Sequence, residues 1–495
     1  MKTAFIFMLA CLTPWVAWSD EEVMIDPSAP HHSFPHYWEQ MFGSGRAILT
    51  LRDSYRRDLR SLKNATDFKF VRFHAILHDE IGVYDEDMHG KAVYNFSYID
   101  QIYDGLLENG VRPFVELSFM PRKLASREAV HSFKYHPIVA PPRDYAKWDA
   151  LISSFATHLI ERFGIDEVAQ WYFEVWNEPN LDFWAGTPKQ ASYWTLYDHT
   201  AKALKGVNAR LRVGGPSTAQ AAWVGAFIRH ATDRGVPLDF VSTHVYGNDT
   251  STDVFATHEK IPRNKMVCRA AKKVRDEVNA SARPELPIIW SEYNATYFNE
   301  PKITDVPFMG PWLADTVRRC DGLTDMMSYW TFSDVFEEQG VVRRPFYGGF
   351  GLIAAGGVPK PAFNAFKMLH QLGVERLDAD SDHALVTQRA DGTLVIALWN
   401  YAPPGENGVP TTISLRLPHA AVSARLLRLD ADHGDAGGEY ARMGSPQYPT
   451  AAQLHALTEA SALPASEDLA IENERVSVSL PPNGLATVEV TLRRP

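Results

Sequence analysis

Short, nearly continuous apolar segments alternate with longer amphipathic segments between about residues 45 and 335. The apolar segments are rich in Val, Ile, Phe, Tyr and Trp, a pattern typical of parallel strands buried on both faces of a sheet. We predict eight strands, at Arg46–Leu51, Phe68–Leu77, Val111–Phe119, Gln170–Pro179, Arg210–Ser217, Phe240–Gly247, Leu286–Asn294 and Met326–Asp334. Helices are predicted between these strands and after the last one, at Tyr55–Asn64, Tyr98–Asn109, Asp144–Phe163, Lys189–Val207, Ala219–Arg234, Pro262–Val278, Met309–Asp321 and Pro361–Leu372.

Eight strand–helix units that close on themselves form a barrel. The predicted fold class is therefore α/β, with a (β/α)8 TIM barrel over residues 45–373. An open doubly wound sheet is the structural competitor. No Gly-rich phosphate loop follows the first predicted strand, so the sequence gives no support for a nucleotide site.

The pattern changes after Gly373 to short runs in which apolar and polar residues alternate. Gly, Pro and Asp separate these runs, which favours a β-sandwich over residues 374–495. The segment Ala431–Asp468 is polar and turn-rich, so we expect a long excursion there. Residues 20–44 precede the first predicted barrel strand and are expected to join the β-domain. The predicted strands of this domain are Val386–Arg389, Leu394–Asn400, Thr411–Leu417, Ser423–Leu429, Val476–Leu480 and Ala486–Leu492.

Residues 1–19 have the pattern of a secretory signal peptide. Lys2 precedes the apolar run Ala4–Val16, and small residues precede a cleavage position before Asp20. We therefore expect a secreted or periplasmic protein, with a lipoprotein anchored at Cys11 as a minor alternative. The apolar run is too short to span a membrane, and no later segment has the length that a span needs.

The chain carries 49 Lys and Arg against 60 Asp and Glu, which gives a formal net charge of -11. This acidic balance argues against nucleic acid and anionic membrane surfaces as partners. Cleavage of the signal peptide leaves Cys268 and Cys320, for which one disulfide is possible but not established by spacing. Two distant cysteines give no zinc signal, and we expect neither a metal nor an organic cofactor.

Two glutamates follow apolar runs whose ends lie at the same face of the predicted barrel. Glu178 lies in Trp171–Asn180, and Glu292 lies in Leu286–Asn294, each close after a tryptophan. A carboxyl group shielded from water has its charged form disfavoured, which suits a general acid near neutral pH. A single glutamate at a strand end is more often a capping group or an ion-pair partner. The pair at the C-terminal ends of two strands favours catalysis.

The stretch Phe173-Glu-Val-Trp-Asn-Glu-Pro-Asn180 resembles glycoside hydrolase family 39, as do Ser328–Glu338 and Phe70-Val-Arg-Phe-His74. The likeness extends over about residues 43–372. It implies a retaining hydrolase that cleaves a glycosidic bond without a cofactor, with Glu178 as acid/base and Glu292 as nucleophile.

The resemblance also implies a set of residues around one sugar ring. Asn177 is expected at the 2-hydroxyl, and a tryptophan is expected to form the floor of the subsite. The expected sugar-binding residues are His74, Asn177, His244, Tyr246, Trp330 and either or both of Glu337 and Glu338. Arg72 is expected to be a buried partner of Glu174 or Glu178.

Within the family, the region Trp330–Glu338 is most similar to the bacterial β-xylosidases. The expected activity is therefore exo-acting release of xylose from xylo-oligosaccharides. The alternatives are an α-L-arabinosidase, an α-L-iduronidase-like enzyme and an endo-acting exopolysaccharide hydrolase. A non-catalytic carbohydrate-binding protein is the alternative of another class. The expected partner is an oligosaccharide, a homo-oligomer is left open, and a glycan at the Asn294 sequon would obstruct the site, which favours a bacterial source.

Overall fold

The computed structural model describes residues 19–493. Its largest part is a closed barrel of eight parallel strands, each paired with the next along the chain. The eighth strand pairs with the first through Ser328 opposite Met41 and Tyr329 opposite Phe42. The TIM barrel is thus confirmed, whereas the predicted signal peptide lies outside the described residues except for Ser19. The barrel strands are Met41–Gly43, Phe70–Phe73, Arg112–Leu117, Tyr172–Val175, Arg212–Thr218, Phe240–Tyr246, Ile288–Asn294 and Met326–Tyr329.

One long helix follows each barrel strand, which confirms the predicted alternation. These helices are Asp53–Ala65, Ser97–Leu107, Tyr145–Phe163, Lys189–Val207, Val224–Arg234, Arg263–Asn279, Met309–Arg319 and Pro361–Leu369. Shorter elements lie in the connections, at Tyr37–Glu39, Ala47–Leu51, Tyr84–Glu86, Ala92–Tyr94, Ile165–Val168, Ala219–Ala221, Ser251–Phe255, Pro301–Thr304, Ile353–Ala354 and Val358–Pro359.

The predicted first strand, Arg46–Leu51, is wrong. The first strand is Met41–Gly43, and Ala47–Leu51 forms a short 3-10 helix above it. A short apolar run does not by itself distinguish a strand from a buried helical turn, and a strand of three residues leaves little pattern to detect. The barrel therefore begins before the predicted boundary at residue 45.

The C-terminal part contains two sheets. A seven-stranded sheet has the order His31–Ser33, Glu375–Leu377, Ala384–Gln388, Leu394–Trp399, Leu485–Leu492, Ala421–Leu429, Glu467–Leu469. The second sheet contains Ser19–Met24, Thr411–Arg416 and Arg475–Leu480. Two N-terminal strands thus pair with strands from the C-terminal part of the chain.

The two sheets enclose a core of their own. Buried residues alternate with more exposed ones along Thr411–Arg416 and Arg475–Leu480, as in a sandwich with one face in solvent. The apolar side chains of Ile413 and Val478 meet those of Ile396 from the larger sheet in one buried cluster.

The polar excursion between the last strands is not a plain loop. It forms the helices Gly437–Arg442 and Ala451–Ala460. Tyr440 of the first helix packs against Phe346, with ring centroids 5.1 Å apart. Phe346 lies in the connection after the eighth barrel strand, so the β-domain reaches the connections at the mouth of the barrel.

Two further features of the chain concern compartment and membranes. Cys268 and Cys320 form a disulfide, which joins the sixth barrel helix to the residue that follows the seventh. Between residues 19 and 493, no helix combines the length and apolar character that a membrane crossing requires.

Candidate active site

A cleft of about 360 Å³ lies at the C-terminal ends of the barrel strands. This is the end at which TIM-barrel enzymes carry their chemistry, because the strand-to-helix connections converge there. Strands two to eight, or the connections after them, contribute to the cleft or to the polar network beneath it. The residues that line the cleft are His74, Phe133, Asn177, Glu178, Leu181, Phe183, Ala219, Gln220, Tyr246, Asp249, Glu292, Tyr297, Trp330, Glu338, Gln339 and Phe350.

Glu178 and Glu292 face each other across this cleft. Glu178 follows the fourth strand, and Glu292 lies within the seventh. A carboxylate oxygen of Glu178 lies within 4.8 Å of a carboxylate oxygen of Glu292, and a nitrogen of His244 lies within the same distance of both. A pair this close can place an attacking carboxylate and a proton donor on one bond, without room for a water molecule between the carboxylates.

Arg72, from the second strand, joins the buried carboxylates beneath the cleft. Its guanidinium group is fully buried and lies 2.7 Å from Glu116, 2.6 Å from Glu174 and 2.7 Å from Glu292. It also donates a hydrogen bond of 2.9 Å to Oδ1 of Asn177. The expected pairing with Glu174 is confirmed, and the expected alternative of Glu178 is replaced by Glu292. Because the planar guanidinium has donors fixed in one fork, it sets the relative positions of these three carboxylates.

Glu178 is held in a setting that favours its protonated form. Burial raises the pKa of Glu178 well above its usual range, and the negative charges of Glu292 and Asp249 add to this rise. Its Oε1 lies 3.0 Å from Nδ1 of His244. Glu178 is therefore the member of the pair that keeps a proton at neutral pH.

Glu292 is held in a setting that favours its charged form more strongly. Burial raises the pKa of Glu292 too, but the charges of Arg72 and His74 and the hydroxyl of Tyr246 act against that rise. Tyr246 donates a hydrogen bond of 2.6 Å to Oε2, and Arg72 occupies Oε1. Glu292 is consequently the stronger acid of the two, and its orientation is fixed from both oxygens.

His244 was expected to line the sugar subsite, but its side chain is fully buried and does not line the cleft. Ser291 donates its hydroxyl hydrogen to Glu174, and His244 Nε2 lies 3.1 Å from the same hydroxyl oxygen. This arrangement places the imidazole hydrogen on Nε2 and leaves Nδ1 to accept from protonated Glu178. Burial lowers the pKa of His244 well below its usual value, so the ring is neutral. His244 supports Glu178 from below the cleft.

The aromatic residue expected as the floor of the sugar subsite is Trp330. Trp330 lines the cleft, and its ring lies 4.7 Å from the His74 ring, centroid to centroid. A methyl group added at Gly43 would lie 2.2 Å from Trp330 Cε3, so only glycine at this position leaves room for the indole. His74 is oriented by a 2.6 Å contact between its Nδ1 and Glu116. An apolar ring beside a fixed polar group is suited to one face of a sugar.

The two neighbouring glutamates after the eighth strand have different positions. Glu338 lines the cleft, with Oε1 3.5 Å from Nε2 of His74, and burial raises its pKa well above the usual range. Glu337 does not line the cleft and is held by Arg52 at 2.5 Å and Arg46 at 3.2 Å. The expectation of a sugar contact at Glu337 is therefore corrected. The chain turns at this point, where the N–H of Gly340 donates to the carbonyl of Glu337, and sequence alone does not say which of the two side chains faces the cleft.

A family model described as "Glycosyl hydrolases family 39" matches residues 21–474 of the chain. The chain belongs to glycosyl hydrolase family 39. A β-xylosidase of Geobacillus stearothermophilus is 37% identical over 88% of this chain and 89% of the relative. A β-xylosidase of Caldicellulosiruptor saccharolyticus is 34% identical over 92% of this chain and 93% of the relative.

Solved structures agree with the family assignment. The crystal structure of a monomeric β-xylosidase from Caulobacter crescentus superposes with a TM-score of 0.85 at 32% identity. The match covers 95% of this chain and 99% of that structure. The family 39 barrel and its accessory β-domain are therefore shared along nearly the whole chain.

Several residues of this family 39 cleft were not predicted from the sequence. They lie in the connections after the strands, where no periodic pattern marks a residue as facing the site. The cleft residues that sequence reasoning missed are Phe133, Leu181, Phe183, Ala219, Gln220, Asp249, Tyr297, Gln339 and Phe350.

Among residues 19–493, two sets of donor side chains lie close enough together to be considered as metal ligands, and one of them is Glu178, His244 and Glu292. The guanidinium of Arg72 lies 2.7 Å from Glu292 and places a positive charge where a cation would have to bind. This donor set therefore suits proton transfer better than metal binding. The other set, at the opposite end of the first strand, is His36, Glu39 and His370.

Proposed function

We propose that this chain is a retaining exo-β-xylosidase, which releases xylose from the ends of xylo-oligosaccharides by double displacement. The observation that carries the proposal is the separation of at most 4.8 Å between carboxylate oxygens of Glu178 and Glu292. Retaining glycosidases hold their carboxyl groups about 5–5.5 Å apart, whereas inverting enzymes leave about 6.5–9.5 Å for a water molecule. The two β-xylosidases that match most of the chain support the choice of sugar.

In the first step, Glu292 attacks the anomeric carbon while Glu178 gives its proton to the leaving oxygen. The glycosidic C–O bond breaks and a covalent glycosyl–enzyme ester forms. In the second step, ionised Glu178 takes a proton from water, and the hydroxide oxygen replaces Glu292 at the same carbon. Two inversions give retention of configuration, and Glu178 is protonated again at the end.

The remaining cleft residues are suited to holding one neutral sugar. Asn177 uses its Oδ1 on Arg72, which leaves its amide hydrogens for a hydroxyl beside the reacting carbon. Glu338 and His74 offer polar atoms to the hydroxyls above Trp330. No Lys or Arg is among the described residues that line the cleft, and ionised Glu292 lies there, so an acidic glycone is disfavoured.

Contacts between the connections support exo action over endo action. The backbone N–H of Lys134, after the third strand, donates a 2.8 Å hydrogen bond to the carbonyl of Glu338, after the eighth. Asn299, after the seventh strand, donates a 3.0 Å hydrogen bond to Gln339. These contacts cross the rim of the cleft beside Glu338. A pocket closed on one side accepts the end of an oligosaccharide rather than its middle.

A panel of aryl glycosides tests the proposal. We expect hydrolysis of aryl β-xyloside, with β-xylose as the first product by proton NMR. Glu292→Ala is expected to lose on the order of 10⁴-fold or more in kcat, and azide is expected to restore turnover with inverted product. Glu161→Ala, at an exposed position of the third barrel helix, is the matched control.

Two results would count against this function, and a third would count against the acid/base assignment. Inverted product from the unmodified enzyme would rule out the double displacement. Absence of hydrolysis across all aryl glycosides, with oligosaccharide binding retained, would favour an endo-acting enzyme or a binding protein. Full activity of Glu178→Ala on a substrate with a poor leaving group would overturn the acid/base assignment.

We also propose that the chain is exported, with cleavage before Asp20. The polar, apolar and small-residue order of residues 1–19 supports this, and so does a disulfide between Cys268 and Cys320, since disulfides persist in oxidising compartments. N-terminal sequencing of the protein recovered outside the cytoplasm is expected to begin at Asp20. A retained Met1 on the mature, active protein would contradict the proposal.

A further inference from the structure

A second pocket, of about 440 Å³, adjoins the cleft. Its walls come from three parts of the chain: the connection after the seventh barrel strand, the connection after the eighth, and the excursion of the β-domain. We call it the arginine pocket; it is lined by Asn299, Phe336, Gln339, Gly340, Val341, Val342, Arg343, Arg344, Tyr347 and Gln447.

The arginine pocket is continuous with the cleft. Gln339 lines both of them. Phe336, from the arginine pocket, packs edge-on against Trp330 and Phe350 of the cleft, with ring centroids 6.0 and 5.6 Å away. One aromatic wall therefore separates a sugar over Trp330 from a group in the arginine pocket.

The charge of the arginine pocket is unlike that of its surroundings. Arg343 and Arg344 are exposed, and among the described residues neither has a carboxylate within 4.0 Å. The chain as a whole carries a net charge of -11, and the neighbouring cleft contains Glu178, Glu292 and Glu338. Two adjacent unpaired guanidinium groups in an acidic protein make a site that attracts an anion.

We propose that the arginine pocket binds an acidic sugar, a uronic acid carried as a branch on the sugar next to the xylosyl residue in the cleft. This rests on the proposed xylosidase function, and deepens it by naming a class of substrate. The guanidinium groups match a carboxylate. The amides of Asn299, Gln339 and Gln447 offer donors and acceptors for hydroxyls, and Phe336 and Tyr347 offer apolar faces for a ring.

This combination distinguishes a sugar acid from a small inorganic anion. Phosphate would contact the arginine side chains alone, whereas a sugar acid would also contact the amides and the rings. The cleft itself disfavours a carboxylate, because ionised Glu292 lies there and no Lys or Arg is among the described residues that line it. The uronic acid is therefore bound only beside the cleft. The enzyme then selects a substrate that has both a neutral terminal sugar and an acidic branch on the next sugar.

The test compares three substrates: an aryl β-xyloside, unbranched xylotriose and xylotriose with a glucuronic acid branch on the second sugar. For the branched substrate, the Arg343→Ala/Arg344→Ala double variant is expected to lose about tenfold to a hundredfold in kcat/KM, because charge-assisted hydrogen bonds are removed. The two uncharged substrates are expected to change by less than about twofold. Inorganic phosphate is expected to inhibit hydrolysis of the branched substrate only at phosphate concentrations far above the concentration of that substrate.

Two variants serve as controls. Arg416→Ala, at an exposed position of the β-domain, should change none of the three rates. Arg343→Lys/Arg344→Lys keeps the charge and should retain part of the preference. The proposal is overturned if the double alanine variant treats all three substrates as the wild type does, or slows all three equally. Failure of the wild type on aryl β-xyloside would instead overturn the function on which the proposal rests.

Discussion

Arg72 and Lys360 are both fully buried cations surrounded by carboxylates, but only one of the two clusters opens to the cleft. Lys360 lies 2.7 Å from Asp305 and 2.8 Å from Asp334, and its third partner is the carbonyl of Gly349 at 2.9 Å. Arg72 contacts three carboxylates, and one of them, Glu292, lines the cleft.

We call Lys360 with Asp305 and Asp334 the lysine cluster, and Arg72 with its three carboxylates the arginine cluster. The remaining contacts show what each cluster does. In the lysine cluster, the second oxygen of Asp305 accepts from the N–H of Gly348, and Asp334 accepts from the N–H of Gly351. The charged side chains of the lysine cluster thus hold the connection after the eighth strand in place. In the arginine cluster, Glu178 and Glu338 add two carboxyl groups with no cation of their own.

This difference shows that the carboxyl groups without a cation partner are concentrated at the cleft. Burial and mutual repulsion raise the pKa values of Glu178 and Glu338 well above the usual range. Such a cost in stability is found at sites that use the perturbed groups. In the lysine cluster, the pKa of Asp334 is raised only to about 6, and none of the three side chains lines the cleft, so we assign this cluster to architecture and the arginine cluster to chemistry.

The largest effect is expected from breaking the arginine cluster. Arg72→Met leaves Glu116, Glu174 and Glu292 buried without a cation, so the free energy of unfolding should fall by about 3–5 kcal/mol. Repulsion within the cluster should also protonate Glu292, with a loss on the order of 10³-fold or more in kcat/KM. Denaturant unfolding and aryl xyloside kinetics measure the two effects.

Arg72→Lys keeps the charge but loses the fork, and it covers the case in which Arg72→Met does not fold. It should be more stable than Arg72→Met and still lose activity, since one ammonium group cannot orient three carboxylates. Wild-type kinetics in Arg72→Lys would show that the guanidinium does not position Glu292, and the comparison of the two clusters would fail.

The second largest effect concerns the pH dependence of the cleft. Hydrolysis needs Glu178 protonated and Glu292 ionised, so kcat/KM should fall at high pH with the first and at low pH with the second. Tyr246→Phe removes a donor that lowers the pKa of Glu292. The acidic limb should therefore move to higher pH, with a loss of about tenfold to a hundredfold at the optimum. An unmoved acidic limb would show that Glu292 does not control it.

Sequence patterns were sufficient for the fold wherever an element is long and regular. The eight helices and seven of the eight barrel strands follow from apolar periodicity, and so do the main strands of the β-domain. The first strand failed because Met41–Gly43 is too short to produce a pattern. The helices of the excursion were not predicted because they bury few residues: within them only Tyr440 and Leu457 are buried.

The site followed from sequence where a residue sits at a strand end. Glu178, Glu292, Asn177, Tyr246 and Trp330 all line the cleft as expected. Prediction failed where the direction of a side chain decides the role. His244 lies below the cleft, and Glu337 turns away to Arg46 and Arg52. In an irregular segment, contacts with distant parts of the chain decide which side chains face the site. Such contacts cannot be inferred from a single sequence.

A smaller effect is expected from His244, which supports the protonated form of Glu178. His244→Phe removes the acceptor at Nδ1 and leaves the charge of the neighbours unchanged, so the pKa of Glu178 should fall. The alkaline limb of kcat/KM should move to lower pH by about one unit, with a loss of about tenfold at the optimum. His244→Asn, which can still accept through its side-chain oxygen, should restore part of the shift. A limb that moves to higher pH would mean that Nδ1 donates to Glu178.

The smallest effect on catalysis is expected from breaking the lysine cluster, although its effect on stability is large. Lys360→Met leaves Asp305 and Asp334 buried without a cation, so the free energy of unfolding at pH 8 should fall by about 3–5 kcal/mol. The pKa of Asp334, already raised by burial to about 6, should rise further when Lys360 is lost. A carboxyl group whose pKa is higher in the folded state than in the unfolded state loses stability as pH rises between the two values. The deficit should therefore be smaller at pH 5 than at pH 8.

Well below its melting temperature, Lys360→Met should keep kcat/KM on aryl xyloside within about tenfold of the wild type, because no group of the lysine cluster enters the cleft. Lys367→Met, at an exposed position of the helix Pro361–Leu369 that follows Lys360, is the matched control for the loss of a charge and should change neither stability nor rate. A collapse of kcat/KM in folded Lys360→Met would show that the connection after the eighth strand transmits the geometry of the lysine cluster to Glu338. The two clusters would then act as one unit, and the division between architecture and chemistry would have to be withdrawn.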